Sequence, residues 1–350
     1  MEYIKNIEIK NFKSIRHQTI DDCRRVNVFI GYPNVGKSNI LEALGLFSLL
    51  QLGGRENFDL DQICRVKNFS ELFFNQDRRQ QIEITVDDKV SAEVNIDSYG
   101  VMDMGLYQKG DSRGDIDRLP INKMRKESGR RSTTIPNGPE SSYKHLMAKI
   151  KKYEFKSDIP VNAGGGLSLS VPNGSNLLEI LQGNASLRKE ITQILEKDGL
   201  RLALDTADSS IKFFKELSDG AAVIIPYHQV ADTLRRLIFF KTAIQTNHDS
   251  ILLFEEPEAH MFPPYISKFT ADVMYNKSQN QYFITTHSPF VLNDFMEDVD
   301  KEDLSVYAVG YKKETGETII RRITEDEMEE IYQYGVDLFF NLENYLKDAV

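Results

Sequence analysis

The sequence predicts an α/β fold with a mixed, largely parallel central sheet, an antiparallel β lobe and an inserted helical and loop region. Three observations carry that prediction. The apolar run Val26 to Ile30 ends in a glycine-rich turn, after which apolar residues recur at helical spacing. A second all-apolar run, Ile251 to Phe254, ends in a cluster of carboxylates, and a third, Tyr282 to Ile284, ends in Thr285, Thr286 and His287. Continuous apolar runs suit strands covered on both faces, and the C-terminal ends of such strands are where open α/β sheets hold ligands.

Taken in order, Ile4, Ile7, Ile9 and Phe12 are spaced as in a strand, and Val26 to Ile30 forms the next strand, closing at Gly31. Ile40, Leu41, Leu44, Phe47 and Leu50 mark a helix. Residues 82–86 and 90–96 read as two strands joined by a turn at Asp87-Asp88. From about 100 to 175, Gly, Ser, Asn, Pro and charge dominate, with Gly164-Gly165-Gly166 the plainest break. A helix over roughly 176–196 interrupts this stretch, and no heptad pattern suggests a coiled-coil arm. Order returns with a helix over about 230–247, the strand at Ile251, a helix near 264–276 and the strand at Tyr282. Thr324 and Glu327 form a capping box for the last helix. The chain therefore divides as residues 1–99, a first lobe; 100–225, an insertion for partner or regulatory contacts; and 226–350, a second lobe.

Composition bounds the function. Hydrophobic residues at 41% and charged residues at 27% describe a soluble globular protein. A net charge of −10 argues against a uniformly basic nucleic-acid binder. A local basic run, Lys123, Arg125, Lys126, Arg130 and Arg131, lies among Ser, Gly and Pro and reads as a solvated loop, with DNA contact as its alternative. The two cysteines, Cys23 and Cys64, read as buried thiols. No signal-peptide pattern and no apolar stretch near the ~20 residues of a membrane span is present, so a cytoplasmic protein without membrane contact is expected.

The most specific motif is Gly31-Tyr32-Pro33-Asn34-Val35-Gly36-Lys37-Ser38, which fits G-x-x-x-x-G-K-[ST] in full. It predicts a P-loop NTPase that takes ATP with Mg²⁺. A triphosphate needs a loop of backbone N–H groups, which Gly31 and Gly36 make possible, and the positive end of the following helix. Lys37 would add a charge at the β/γ oxygens and Ser38 a hydroxyl for Mg²⁺. At the end of the strand Ile251 to Phe254, Glu255 would join the Mg²⁺ shell through water, and Glu256 would orient or deprotonate the attacking water. His287, at the end of the following strand, would reach the γ-phosphate.

These residues resemble the ABC-type ATPase heads of the RecF/SMC class, with the nearest likeness to OLD (overcoming lysogenization defect) ATPases and their stand-alone anti-phage relatives. The likeness runs over about residues 1–95 and 225–310. It is carried by Ile9-Lys10-Asn11-Phe12-Lys13-Ser14, by Gly36-Lys37-Ser38-Asn39-Ile40-Leu41-Glu42-Ala43-Leu44, by Glu255-Glu256-Pro257-Glu258-Ala259-His260 and by Thr286-His287-Ser288-Pro289. The chain departs from the pattern at Glu255, where the family usually has Asp. The resemblance implies an ABC-type head that sandwiches ATP between two copies. Gly31, Asn34, Val35, Gly36, Lys37, Ser38 and Asn39 would lie on one side. A signature loop, best placed at Ala231, Asp232 and Thr233 because a helix follows, would lie on the other. Leu217-Ser218-Asp219-Gly220 is the rival segment, and Gln76 would be the Q-loop glutamine at the metal.

The implied function is an ATP-hydrolysing dimerisation switch, with Glu256 and His287 catalytic and a homodimer or higher homo-oligomer as the working form. Too little chain follows His287 for the Toprim nuclease that OLD proteins carry, so the expected partner is a separate effector protein such as a nuclease, in anti-phage defence. A RecF-like DNA repair or recombination ATPase is the alternative. A GTPase is disfavoured, because neither Asn122-Lys123-Met124-Arg125 nor Asn276-Lys277-Ser278-Gln279 supplies the Asp of N-K-x-D.

Overall fold

The computed structural model describes residues 3–48, 60, 63–96, 102–108, 117–121, 148–157 and 166–347. The chain forms two compact units, Met1–Lys152 with Ser250–Glu256 and Gln281–Val350, and Tyr153–Asp249 with Pro257–Asn280. In chain order the first unit contributes β1 (Ile7–Phe12), β2 (Ile15–Ile20), β3 (Val26–Gly31), α1 (Lys37–Gly45), β4 (Ile82–Val86), β5 (Val90–Ile96), β6 (Met102–Gln108), β7 (Asp117–Ile121) and β8 (Ile150–Tyr153), whose last residue hands the chain to the second unit. The second unit holds α2 (Leu177–Gly183), α3 (Ala185–Glu196), β9 (Arg201–Asp205), β10 (Ser210–Glu216), β11 (Ala222–Pro226), α4 (Asp232–Thr246) and α5 (Pro263–Tyr275). The first unit takes back β12 (Ile251–Glu255) and ends with β13 (Gln281–Thr286), α6 (Pro289–Asp298), β14 (Leu304–Tyr311), β15 (Thr318–Arg322), α7 (Glu325–Tyr334) and α8 (Leu338–Leu346).

The architecture is α/β with a mixed central sheet, as the apolar runs predict. Its order is β15-β14-β3-β13-β12-β8, and β3 pairs in parallel with both β13 and β14. β3 and β13 are buried along their whole length. Phe29 stacks on Tyr307 at 4.9 Å and on Phe283 at 6.4 Å. One polar residue in β3, Asn27, is accommodated because its amide donates to the Arg24 and Tyr282 carbonyls and its oxygen accepts from the Arg24 N–H. The register puts Glu255 beside Thr285 and Thr286 beside Ile30, so β12, β13 and β3 end level with one another. β13 lies between the other two.

An antiparallel sheet of order β2-β1-β4-β5-β6-β7 forms the β lobe. The expected hairpin of residues 82–96 is present, turning at Asp87 and Asp88, both with a φ of 52°. The sheet continues through β6 and β7, past the expected lobe boundary at residue 99. Met104, buried and opposite Val94, fixes the register there. The signal is hidden because β6 and β7 lie among Gly, Ser and charged residues.

In the second unit the single helix expected over 176–196 is two helices, broken at Asn184, whose side chain caps α3 by accepting from the Leu187 N–H. Asn at such a position satisfies an amide the helix leaves open, which ends one helix and starts the next. The core collects Tyr153, Phe155, Phe239, Phe240 and Phe269 in edge-to-face contacts. The capping box at Thr324 and Glu327 forms as expected, but α8 follows it, so it does not open the last helix. Among the described residues, no helix is long and apolar enough to cross a membrane. The basic run at 123–131 lies outside the described residues.

Candidate functional site

The loop Gly31–Ser38 joins β3 to α1, so the strand fixes one end and the helix the other. Its turn needs left-handed backbone at Asn34 (φ 64°) and at Gly36 (φ 99°). Gly36 is required twice, since a Cβ there would also overlap Thr318 Oγ1 and Ser14 Oγ. α1 starts at Lys37 with no side chain capping it at Gly36, so the positive end of the helix faces the loop, with the Asn39 N–H turned back to the Gly36 carbonyl at 3.0 Å. Lys37 is buried, and its Nζ donates to the Gly31 and Tyr32 carbonyls, both at 2.9 Å. Asn39 turns its amide to Ser14 Oγ at 2.6 Å. Ser38 is half-buried in the first turn.

Glu255 ends β12 with its side chain 6% exposed. Its Oε1 lies 2.5 Å from Arg65 Nη2 and its Oε2 lies 3.9 Å from Lys152 Nζ, yet neither oxygen accepts a hydrogen bond. The Arg65 contact is an ion pair without hydrogen-bond alignment. A buried carboxylate with open lone pairs is costly, and a hard dication would satisfy it. Beside the Arg65 and Lys152 cations, Glu255 fits a place in the water shell of Mg²⁺. Among the described residues, no group of three or more His, Cys, Asp or Glu could hold a metal by itself, so such an ion would share its shell with phosphate and water.

Glu256, the next residue, has a left-handed φ of 40° and is held by its N–H to the Thr285 carbonyl at 3.0 Å. That turn swings its carboxylate outward to 42% exposure, 3.3 Å from Nε2 of His287, which is 35% exposed. Burial lowers the His287 pKa, the Lys37 charge lowers it further, and Glu256 opposes both. With Glu256 3.3 Å from His287 and the Lys37 charge acting on the same ring, the P-loop lysine, Glu256 and the β13 end share one electrostatic neighbourhood.

Because the folded imidazole titrates below its ordinary 6.5, its contribution to stability is complete above that pH and is lost as pH falls through the folded value. His287→Gln is expected to flatten this part of the acid-side decline in melting temperature. Identical pH profiles for the two proteins between neutral pH and pH ~5.5 would refute the assignment.

In the second unit, Ala231 is the N-cap of α4, and Asp232 begins the helix. The Asp232 carboxylate takes Arg235 Nη2 at 3.2 Å and Arg236 Nε at 2.9 Å, while Thr233 Oγ1 donates to the His260 carbonyl at 2.7 Å. An open cleft there is lined by Phe155, Lys156, Ser157, Asp232, Arg236 and His260. The rival segment Leu217–Gly220 is the tip of the β10–β11 hairpin, closed by the Leu217 N–H to the Ala221 carbonyl, and is not at a helix start. Gln76 is exposed in a turn with φ 58°, and among the described residues no hydrogen bond or ion pair links it to the P-loop or to Glu255.

The site also contains residues that the sequence reading did not single out. Arg65 and Lys152 flank Glu255, and Lys152 is anchored by donating to the Ile63 carbonyl at 2.6 Å. Arg65 is placed by the P-loop helix, since its N–H donates to Glu42, a buried residue of α1 that also pairs with Lys13. Thr318 stands behind the loop. Only tertiary pairing brings these side chains to the site, and no spacing marks them in the sequence.

A family model described as "AAA domain, putative AbiEii toxin, Type IV TA system" matches residues 26–293. An uncharacterized protein of Methanocaldococcus jannaschii is 42% identical over 57 residues, 16% of this chain and 24% of that protein. The DNA replication and repair protein RecF of Thermoanaerobacter sp. (strain X514) is 38% identical over 47 residues, 13% of each chain. An ATP/GTP phosphatase of Helicobacter pylori is 46% identical over 41 residues, 12% of this chain and 11% of that protein. The matched segments thus span a quarter or less of these relatives' own length. In fold, the chain is similar to the Smc head domain with an extended coiled coil from Pyrococcus furiosus, solved bound to the C-terminal domain of ScpA. The TM-score is 0.56 at 10% identity, covering 95% of this chain and 99% of that one. An SmcHead solved with the C-winged helix domain of ScpA gives a TM-score of 0.51 at 13% identity, covering 94% of this chain and 100% of that one.

Proposed function

The chain belongs to the AAA-domain family whose model spans residues 26–293, and from that premise we propose that it binds and hydrolyses MgATP as a nucleotide-dependent dimerisation switch. The observation that carries this reading is the convergence of Lys37, Glu255, Glu256 and His287 at the level ends of β3, β12 and β13. The amides from Asn34 to Ser38 and the Lys37 ammonium bind the phosphates. Ser38 and Glu255 are the residues that would hold Mg²⁺. Bound there, the ion would neutralise charge on the β- and γ-phosphates. Glu256, exposed enough to reach water, orients the attacking water and draws off its proton. His287, neutral at pH 7, hydrogen-bonds Glu256 and fixes its direction. Asn39 is assigned to the nucleotide side of the loop, and Gln76 to the metal, on the resemblance of the sequence alone.

Ala231, Asp232 and Thr233 are the segment we assign to the ATP of a second copy, because they open a 15-residue helix. The Asp232–Arg236 pair holds the guanidinium in place until phosphate competes for it. The working form is then a homodimer or higher homo-oligomer, with hydrolysis returning it to separate subunits.

The reaction is tested by thermal shift and phosphate release. ATP with Mg²⁺ should raise the melting temperature and GTP at equal concentration should raise it less. Equal shifts from both, or none from either, would remove the reading. At a finer level, the likeness to stand-alone OLD relatives supports action through a separate effector in anti-phage defence. Recovery of an ATP-dependent complex with a nuclease encoded beside it would support that role. Salt-sensitive retention of duplex DNA without such a complex would instead favour a RecF-like role.

A further inference from the structure

Behind the P-loop runs a chain of hydrogen bonds that the reaction above does not use. Thr318, the first residue of β15, is 1% exposed. Its Oγ1 donates to the Val35 carbonyl at 2.9 Å. A threonine hydroxyl has one proton, so with that proton spent on Val35, the 2.6 Å contact to Ser14 must be Ser14 donating to Thr318. Ser14 Oγ in turn accepts from the Asn39 amide at 2.6 Å. The direction of every link is thereby fixed, from the Asn39 N–H to the Ser14 O–H, to the Thr318 O–H and to the Val35 carbonyl. The Thr318 N–H also donates to the Ser14 carbonyl at 2.8 Å, which stitches the start of β15 to the β1–β2 turn.

The end point of this chain matters because the Val35 carbonyl and the Gly36 N–H belong to one planar peptide unit and point in opposite directions. A hydrogen bond that holds the carbonyl toward Thr318 aims the Gly36 N–H away from it. We propose that Thr318 is a positioning residue for the nucleotide loop, setting the plane of the Val35–Gly36 peptide so that its amide faces the phosphates before nucleotide arrives. The role rests on the ATP-binding reading, and it explains why the crowding at Gly36 leaves no room for a Cβ. Linked donors also polarise one another, which makes the last amide a better donor to an anion. The β14–β15 hairpin, absent from every sequence motif, is thus wired into the loop.

The test compares Thr318→Val, Thr318→Ser and Ser14→Ala in the full chain. Valine keeps the shape but takes the hydroxyl donor from the Val35 carbonyl and the acceptor from the Ser14 O–H proton, while Ser14 Oγ still accepts from Asn39. Hydrogen–deuterium exchange of the nucleotide-free proteins reads the loop directly. For Thr318→Val, exchange across residues 31–38 should rise about fivefold or more, the factor expected for one lost buried hydrogen bond, with the rest of the chain unchanged. ATP affinity should weaken about five- to tenfold, with a smaller change in kcat. Thr318→Ser should stay within about twofold of the unaltered chain, and Ser14→Ala should shift in the same direction as valine by a smaller factor. Should Thr318→Val fail to fold, Ser14→Ala carries the comparison. Unaltered exchange at 31–38 in the valine variant, uniform acceleration along the whole chain, or a serine variant as weak as valine would each overturn the proposal. If the unaltered chain bound no ATP, the nucleotide reading would fall by itself, and exchange at 31–38 would still decide whether Thr318 sets the loop.

Discussion

Glu256→Gln is expected to lower ATP turnover by about a hundred- to ten-thousand-fold while ATP affinity changes by no more than a few-fold. Glutamine keeps the size of the side chain and can still accept a hydrogen bond from His287. It cannot take a proton from water. The loss should therefore appear in kcat and leave KM nearly unchanged. Glu256 is well placed for such a clean result. Its carboxylate is 42% exposed and faces the imidazole of His287, itself 35% exposed, so removing its charge leaves no buried partner stranded. The variant should also accumulate as an ATP-bound dimer on size-exclusion chromatography, since closure no longer ends in hydrolysis. Full turnover in the variant would remove Glu256 from the chemistry. A monomer in saturating ATP would remove the switch and leave the ATPase.

Lys37→Ala should weaken ATP binding by about 10- to 150-fold, the range expected when a charge-assisted hydrogen bond is lost. Two effects add. The phosphates lose a cation, and the Gly31 and Tyr32 carbonyls lose the Nζ that bridges them. A second consequence separates a specific role from general damage to the loop. Lys37 is one of the two influences that hold the His287 pKa down, after burial, so the variant's imidazole should titrate at higher pH. An NMR titration of the His287 ring protons would measure this. A His287 resonance unmoved by the substitution would mean that the loop and the β13 end are not neighbours, and the reading of a shared site would fail.

The residues at the strand ends were legible in the sequence for a chemical reason. Phosphate binding needs contiguous backbone amides, so Gly31 to Ser38 must be written as one string. Glu255, Glu256 and His287 stand where apolar runs stop, and the parallel register of β12 and β13 makes those stops coincide. Thr318, Arg65 and Lys152 were not legible. Each is an ordinary polar residue until folding carries it across the unit, as when Glu42 of the P-loop helix holds the Arg65 N–H. In the small sheet of β9, β10 and β11, β11 was missed because it is mostly exposed and lacks the buried alternation that marks a strand, whereas β10 does alternate, burying Ile211 and Phe213. β2 was missed because Arg16, His17, Gln18 and Thr19 fill its middle. The rival Ser-Gly segment at 217–220 had the right letters, but a hairpin tip offers no helix end, so chemistry at that point follows backbone geometry and not composition.

The placement of β3 also sets a schedule for the chain on the ribosome. Both of its neighbours, β13 and β14, lie near the far end of the sequence. The nucleotide strand is synthesised long before either of its sheet partners. Until they follow, Val26, Val28, Phe29 and Ile30 have neither of these strands beside them. Pairings of such long sequence separation form slowly and leave sticky edges exposed, so early shielding by a chaperone, or prompt arrival of the C-terminal third, governs how much of this protein reaches its native state.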